Sequence, residues 1–246
     1  MGNGIPRAWV LQVTPSNAPA HSIFVKIPDA NSPAREEEIV KRLIAWIIAA
    51  SACCFAAYAN AQSVDVKELV AAMKQGGYCI VLRHGATNRD QADTDPLNLD
   101  DVAKQRLLSD GGREVARQVG DAFKKLGIPL GRVYTSKFYR AVETGRLVSG
   151  ADVTPTLDVT EGGLVVTPIE NDRRAGALKK MAGTVPEPGK NTLIVTHKPN
   201  ILDAFGKDWF EVKEGEASVF KPDGSGKAVL VARLQAADWI KAASAN

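Results

Sequence analysis

The feature that most constrains the fold is a short apolar run, residues 78–82, which ends abruptly in Arg83, His84 and Gly85. A run of this kind is typical of a buried strand. The strand would carry a cation and an imidazole to the edge of a sheet, and the glycine would let the chain turn there. The run therefore predicts a sheet with a reactive edge, and the rest of the chain must supply the partners of His84.

The sequence around this run alternates apolar segments with segments of helical periodicity. Strands are predicted at residues 78–82, 132–136, 151–157 and 192–196, and helices at residues 63–73, 109–126, 138–148, 171–181 and 199–204. Two later apolar runs, residues 217–220 and 228–232, flank a turn sequence and indicate a hairpin. The pattern predicts a three-layer α/β/α sandwich, with a mostly parallel sheet and an antiparallel edge formed by the C-terminal hairpin.

The caps and the buried faces of two helices are also predicted. Ser63 is placed to cap the first helix, and Ser109 or Asp110 to cap the second. The second helix has a predicted buried stripe at Val115, Val119, Phe123 and Leu126.

The N-terminal residues predict an export signal. Lys41 and Arg42 precede an apolar stretch that ends in Ala59-Asn60-Ala61. This order predicts a secretory signal at residues 40–61, cleaved after Ala61. The alternative is a retained anchor, although the charge-free stretch is short for a membrane span, which needs ~20 residues.

Residues 1–39 contain five prolines and show no sustained periodicity. A secretory signal normally starts at the initiator methionine. We therefore expect translation to begin at position 40, at a non-ATG start codon that the sequence shows as valine. A disordered extension ahead of an anchor is the alternative. Residues 62–246 are then expected to form one catalytic domain, in the periplasm or secreted, or anchored to the membrane and facing the periplasm.

Composition argues against several other classes of function. A net charge of +3, with no arginine-rich run, argues against nucleic acid as a partner. Cys53 and Cys54 fall within the predicted signal, and Cys79 is expected to be a small buried hydrophobe. No cysteine pairs with a histidine at metal-ligand spacing, and the acidic residues 87–102 lack the pattern of a calcium loop. We therefore expect no metal, no cofactor and a solvated loop over the site.

Several polar side chains fall at the carboxyl ends of the predicted parallel strands, where ligands bind in open α/β sheets. Arg83 and His84 follow the first strand, and His197 follows the fourth. Arg140 lies one turn into the helix after the second strand, and Glu161 follows the third. The topology therefore predicts two arginines, two histidines and a carboxylate at one edge of the sheet.

Four stretches with these residues resemble the histidine phosphatase (phosphoglycerate mutase-like) superfamily, and its small phosphatases in particular. They are Leu-Arg-His-Gly-Ala-Thr at residues 82–87, Leu-Ser-Asp-Gly-Gly-Arg at 108–113, the segment 133–144 that holds Arg140, and Val-Thr-His-Lys-Pro-Asn at 195–200. The resemblance extends over essentially all of residues 62–246.

The resemblance implies a role for each of these residues. His84 would be the nucleophile that forms a phosphohistidine, and Arg83, Arg140 and His197 would bind the phosphate. The residue chemistry agrees, because neighbouring arginines oppose protonation of an imidazole and bind phosphate oxygens with charge-assisted bonds. Thr87 and Asn88 are further candidates for the pocket wall. Ser136 is equally well placed to line the pocket or to cap the helix that follows it.

The sequence offers several candidates for the proton donor to the leaving group. Glu161 is the candidate because its place after the third strand matches the acid of the family. The sequence around Glu161 matches the family poorly, so Asp158, Glu170 and Asp172 remain alternatives.

These observations together predict an exported phosphomonoesterase acting on a small phosphorylated substrate. A mutase-type phosphotransferase and a catalytically idle phosphate-binding domain of the cell envelope are the alternatives. The membrane is a partner only if the N-terminal apolar segment is retained. Specificity is expected in the loops at residues 88–105 and 162–174, and the oligomeric state is not indicated.

Overall fold

The computed structural model of the protein describes residues 65–162 and 165–245. Ser63 lies outside the described residues, and the cap of the first helix is Asp65 instead of the predicted Ser63. The predicted extension at 1–39 and the predicted signal at 40–61, with Cys53 and Cys54, also lie outside the described residues. They remain predictions.

Six strands form one sheet in the order β3-β2-β4-β1-β5-β6. They are β1 (Cys79–Arg83), β2 (Leu130–Ser136), β3 (Thr154–Thr156), β4 (Asn191–Thr196), β5 (Ala217–Pro222) and β6 (Ala228–Leu234). The neighbours from β3 to β1 pair in parallel, whereas β5 is antiparallel to both β1 and β6. The predicted parallel sheet with an antiparallel hairpin edge is confirmed.

Six α-helices cover the two faces of this sheet. They are α1 (Val66–Met73), α2 (Asp110–Leu126), α3 (Tyr139–Ser149), α4 (Pro168–Ala182), α5 (Lys198–Phe205) and α6 (Ala236–Ser244). Ile80 and Leu82 of β1 pack with α1, α2, α3 and α6, whereas Cys79 and Val81 pack with α4 and α5. Because alternate residues of a strand point to opposite faces, the apolar run of β1 serves both cores and the fold is the expected three-layer sandwich.

Local caps explain where several elements begin. The Asp65 carboxylate accepts from the Lys67 N–H at 2.8 Å and caps α1. Ser109 caps α2 as predicted, with its hydroxyl 3.1 Å from the Gly112 N–H. Helix α4 begins at Pro168, ahead of the predicted residue 171, because Thr167 caps it and proline suits the first helical turn.

Two predictions about these elements were wrong. Val115 is 38% exposed, and the buried stripe of α2 passes through Ala116 instead. The third strand ends at Thr156, because the Thr156 hydroxyl accepts from the Asp158 N–H and starts a 3₁₀ turn, Leu157–Val159.

Helix α6 was not predicted from the sequence. Gln235 and Asp238 form a capping box at its start, and Trp239 is fully buried. The Trp239 ring packs edge to face on Phe123 of α2, with centroids 5.0 Å apart. The helix therefore closes the core on the α2 side of the sheet.

Within the described part of the chain, no helix combines the length and the apolar character needed to cross a membrane.

Candidate active site

The carboxyl ends of β1 and β4 lie side by side at one edge of the sheet. Arg83, the last residue of β1, is in register with Thr196, the last residue of β4. The His84 N–H donates to the Thr196 carbonyl at 3.0 Å. His84 and His197 therefore leave neighbouring strands at the same level, and their ring centroids are 5.0 Å apart.

The His84 imidazole is buried and presents one nitrogen for reaction. Its Nδ1 lies 2.8 Å from the carbonyl oxygen of Gly85. Because a carbonyl only accepts, Nδ1 carries the proton and Nε2 carries the lone pair. Burial, and next the charge of Arg140, lower the pKa of His84 to about 3, against the opposing effect of the Gly85 bond. The ring is therefore neutral at neutral pH, as a nucleophile must be.

The turn after His84 is fixed against the first turns of α2 and α3. The Gly85 N–H donates to the Thr144 hydroxyl at 3.1 Å, and that hydroxyl donates to the Arg140 carbonyl at 2.7 Å. A Cβ at Gly112 would lie 2.1 Å from the carbonyl oxygen of Ala86. Glycine at 112 therefore lets the start of α2 touch the backbone that follows the nucleophile.

Arg140 is fully buried in the first turn of α3. Its Nη1 donates to the Asp93 carboxylate at 2.9 Å, and its Nη2 donates to Glu161 at 3.1 Å. The guanidinium also lies over the Phe138 ring, 4.2 Å from the centroid. We expected Asp93 to belong to a solvated loop. That expectation is wrong for Asp93, because a buried cation attracts it, whereas Asp90 and Asp95 are exposed.

Arg83 is held by the segment that leads into β5. Its Nη1 donates to the Val212 carbonyl at 2.8 Å, and its Nη2 lies 3.5 Å from a Glu214 oxygen. These contacts fix the guanidinium at the carboxyl end of β1, beside His84.

Arg106 is a third arginine of the site, and it was not predicted. Its charge lowers the pKa of His84, His197 and Glu161, and Arg106 lines the same cavity as Glu161. Its backbone N–H donates to the Asp93 carboxylate at 2.9 Å. Its Nε is buried without a hydrogen-bond partner among the described residues. The only sequence signal for it is its position, two residues before the Leu108-Ser109 stretch.

Glu161 lies between Arg140 and His197, as the sequence predicted. Its Oε1 accepts from Arg140, and its Oε2 lies 3.4 Å from the His197 Nδ1. Burial, partly opposed by the charge of Arg140, raises the pKa of Glu161 above its usual value. A carboxyl group in this state can keep a proton and donate it.

The alternative carboxylates lie outside this cluster. Asp158 pairs with Arg173 at 2.6 Å. Glu170 pairs with Arg173 and Arg174, and these bonds lower the pKa of Glu170 to about 2. Asp172 is exposed on α4. Glu161 is therefore the carboxylate with the geometry of a proton donor.

His197 is fully buried, and its ring nitrogens have different neighbours. Nε2 is 2.7 Å from the Ser136 hydroxyl, whereas Nδ1 has no hydrogen-bond partner among the described residues. Burial, and next the interaction with His84, lower the pKa of His197 well below its usual value. Ser136 also accepts from the Phe138 N–H at 3.1 Å, so it both bonds the backbone at the start of α3 and contacts His197.

Thr87 and Asn88 are less directly involved. Thr87 pairs through its backbone with Leu108, and the Asn88 amide donates to the Gln91 side chain at 3.3 Å. These contacts hold the loop rather than reach either histidine.

An open cavity of about 380 Å³ forms the mouth of the site. Both predicted specificity loops contribute to it, together with residues of the site itself. Its lining is Gln91, Ala92, Asp93, Pro96, Arg106, Phe138, Glu161, Gly162 and Val165. The volume suits a small ligand, and Arg106 gives the wall one cation beside the carboxyl groups of Asp93 and Glu161.

Comparison with known proteins finds a family match over part of the chain. Residues 79–161 match the family model described as histidine phosphatase superfamily, branch 1. This part of the chain is similar to members of the histidine phosphatase superfamily. The comparison with curated proteins gave no match.

Several solved structures are similar to this chain, each with a TM-score below 0.5. The protein histidine phosphatase SixA, complexed with tungstate, is 18% identical over 65% of this chain and 98% of its own, with a TM-score of 0.47. YhfR of Bacillus stearothermophilus is 17% identical over 63% and 95%, with a TM-score of 0.47. The mycobacterial glucosyl-3-phosphoglycerate phosphatase Rv2419c, complexed with inorganic phosphate, is 16% identical over 65% and 99%, with a TM-score of 0.45.

The histidine phosphatase match contains His84, Arg106 and Arg140 and ends at Glu161, so His197 lies beyond it. The match supports the expected phosphatase activity. Residues 65–162 and 165–245 contain no group of three or more His, Cys, Asp or Glu side chains that could hold a metal ion. Burial raises the pKa of the Cys79 thiol to about 12, so Cys79 is the inert core residue that the sequence predicted.

Proposed function

We propose that this histidine phosphatase domain hydrolyses small phosphate monoesters through a phosphohistidine on His84. The observation that carries the proposal is a set of buried nitrogens around the His84 ring with no hydrogen-bond partner among the described residues. They are Nε of Arg83, Arg106 and Arg140 and Nδ1 of His197. Unpaired buried donors are costly, and an anion with several oxygens would satisfy them together.

The first step is attack by the His84 Nε2 lone pair on phosphorus. The new P–N bond forms as the P–O bond to the leaving group breaks, and Glu161 gives its proton to the departing oxygen. Arg83, Arg106 and Arg140 balance the charge on the transferred phosphoryl group, which is the main contribution a protein makes to such a step.

The second step returns the enzyme to its first state. The Glu161 carboxylate, now without its proton, takes one from a water molecule, and the water oxygen attacks phosphorus as the P–N bond breaks. Inorganic phosphate leaves, and His84 and Glu161 regain their starting protonation. The His84 Nδ1–H keeps its bond to the Gly85 carbonyl in both steps.

Replacement of His84 tests the mechanism. We expect purified protein to hydrolyse an aryl phosphate, and His84→Ala to abolish that activity. Rapid quenching in base after mixing with ³²P-labelled substrate should trap an acid-labile label on the wild-type protein and none on His84→Ala. Asp158→Asn, outside the cluster, is the matched control and should keep both activity and label.

The other outcomes separate the alternative functions. Equal activity in wild type and His84→Ala would exclude the phosphohistidine. Phosphate binding without hydrolysis by the wild type would favour an idle binding domain. Label passed to a second substrate hydroxyl instead of water would favour a phosphotransferase.

We also propose that the domain is exported. The basic residues Lys41 and Arg42, the apolar stretch after them and the Ala59-Asn60-Ala61 sequence support this proposal. N-terminal sequencing of the protein from its natural source should give a chain that starts at Gln62. Peptides from residues 1–39 would refute the expected start at position 40.

A further inference from the structure

The two ring nitrogens of His197 lie in opposite chemical surroundings. Nε2 is 2.7 Å from the Ser136 Oγ. Nδ1 is 3.4 Å from the Glu161 Oε2 and has no hydrogen-bond partner among the described residues. We call the space among the unpaired nitrogens of Arg83, Arg106, Arg140 and His197 the anion site. The Nδ1 side of the His197 ring therefore faces this anion site.

A neutral imidazole has a single N–H, so one nitrogen donates and the other accepts. His197 is neutral because burial, followed by the interaction with His84, keeps its pKa low. The partner of one ring nitrogen then decides which tautomer is present. For His197 to donate to a phosphate oxygen, the proton must be on Nδ1 and Nε2 must accept.

The Ser136 hydroxyl is arranged to donate to Nε2. Ser136 is fully buried, and its Oγ already accepts from the Phe138 N–H at 3.1 Å. The described residues offer its proton one acceptor, the Nε2 of His197. Donation along this line satisfies the hydroxyl and Nε2 together.

The opposite tautomer has a specific cost. It would place the Nδ1 lone pair toward the oxygens of any bound phosphate. Lone pairs that face anions in a buried site repel them, because little water is present to screen the interaction.

We propose that Ser136 is a positioning residue that holds His197 with its proton on Nδ1, so that Nδ1 donates to the bound phosphate. This inference rests on the proposed function, because it assumes that phosphate occupies the anion site. Among the described residues, the Ser136 hydroxyl bonds His197 and the Phe138 N–H and not His84, so we expect it to act on the phosphate through His197.

The direct test is the tautomer of His197 in ¹⁵N-histidine-labelled protein. Long-range ¹H–¹⁵N correlation spectra distinguish a protonated Nδ1 from a protonated Nε2. The chain from Gln62 onward contains two histidines, so the His84→Ala variant assigns both sets of signals. In the wild-type protein we expect a protonated Nδ1 on His197, and a mixture of both tautomers in Ser136→Ala. A protonated Nε2 in the wild type would overturn the proposal without any variant.

Kinetics provide the second readout. Removing one donor aimed at developing charge costs ~10²–10³-fold in kcat. Ser136→Ala leaves the donor in place but lets its tautomer vary, so we expect a smaller loss, roughly 10-fold, with little change in KM. Ser136→Thr keeps a hydroxyl and should restore both the spectrum and the rate.

Thr135→Val is the matched control for these variants. Thr135 is the neighbouring strand residue, equally buried, and its hydroxyl has no partner among the described residues. Its replacement should leave the tautomer and kcat unchanged. Unaltered tautomer and kcat in Ser136→Ala, or an equal loss in Thr135→Val, would refute the role of Ser136.

Failure of this inference differs from failure of the proposed function. If wild-type protein forms the phosphohistidine but His197 carries its proton on Nε2, only the positioning role is lost. If wild-type protein forms no phosphohistidine, the mechanism itself fails, whatever the tautomer. Thermal unfolding of Ser136→Ala identifies a folding defect, and the wild-type and Ser136→Thr spectra then decide.

Discussion

At the scale of single residues, the proposed attack by His84 depends on what lies on either side of its ring. The Gly85 carbonyl holds the proton on Nδ1, and burial with nearby arginines keeps the ring neutral. Burial also raises the pKa of Glu161, against the opposing charge of Arg140, so base and acid coexist in their reactive forms. Pairs of groups with pKa values moved apart in this way are typical of acid–base catalysis.

Replacement of the acid should depend on the leaving group. Glu161→Gln cannot donate a proton, so hydrolysis of alkyl phosphates should slow by ~10²–10⁴-fold, the usual contribution of a positioned acid. A p-nitrophenyl ester needs little help and should slow much less. Steady-state rates over a series of leaving-group pKa values measure the difference, and an unchanged slope would transfer the role to another group.

The activity of the wild type should also depend on pH through these two groups. As pH falls toward about 3, His84 gains a proton and loses its lone pair. As pH rises through the raised pKa of Glu161, the acid is lost. We therefore expect a bell-shaped profile of kcat/KM with its maximum on the acid side, and Glu161→Gln should remove the fall on the alkaline side.

Arg106 should strengthen phosphate binding. A hydrogen bond to a charged group contributes about 1.5–3 kcal/mol, so Arg106→Gln should weaken inhibition by inorganic phosphate by roughly 10- to 100-fold. Arg89→Gln, an exposed arginine of the same loop, is the control and should change the inhibition constant little. Equal effects of the two variants would mean that Arg106 acts only through overall charge.

The sequence could predict His84, Arg140 and His197 because each follows a strand, and strand ends converge at one edge of a parallel sheet. Arg106 and Asp93 could not be found in this way. They lie on a segment without periodicity, and its path depends on contacts with Arg140 that exist only after folding.

At the scale of elements, the start of α2 supports the catalytic turn. The helix approaches so closely that the Ala86 carbonyl occupies the space a side chain at 112 would need. Close packing of this kind couples the position of the helix to that of the nucleophile.

A methyl group at this contact should damage stability and activity together. We expect Gly112→Ala to lower the free energy of unfolding by about 1–3 kcal/mol, the usual cost of overpacking. Gly111→Ala is the matched control, because a Cβ there meets only the Ser109 Oγ, at 4.0 Å. Urea unfolding and aryl phosphatase assays on both variants measure the effect, and equal losses would remove the special role of position 112.

The same elements show what sequence patterns can predict. The buried strands and α2 were predicted because their periodicity is strong and their ends carry caps. Helix α6 was missed although Gln235 and Asp238 form a capping box, because its buried face is dominated by one large residue, Trp239. The short β3 was overestimated because the cap at Thr156, which ends it, depends on a local hydrogen bond.

At the scale of the whole molecule, the buried neutral histidines link function to stability. In the unfolded chain His84 has an ordinary pKa near 6.5, whereas in the folded protein it is about 3. Between these values the unfolded state binds a proton that the folded state does not, so stability falls as pH falls.

This linkage gives a measurable slope. For His84 alone, the free energy of unfolding should fall by about 2–3 kcal/mol between pH 6.5 and pH 4.5, since one pKa unit corresponds to about 1.4 kcal/mol. His84→Asn should remove that part of the slope. Urea unfolding of both proteins across this pH range measures the difference, and parallel curves would show that His84 is not held neutral by the fold.

The bond between the His84 Nδ1 and the Gly85 carbonyl also affects how the enzyme tolerates mutation. Its acceptor belongs to the main chain, so no substitution at residue 85 can delete it. The corresponding contact of His197 is made by the side chain of Ser136, which a single codon change removes. A single substitution at residue 136 can therefore disturb the orientation of His197. No substitution at residue 85 removes the carbonyl that orients His84.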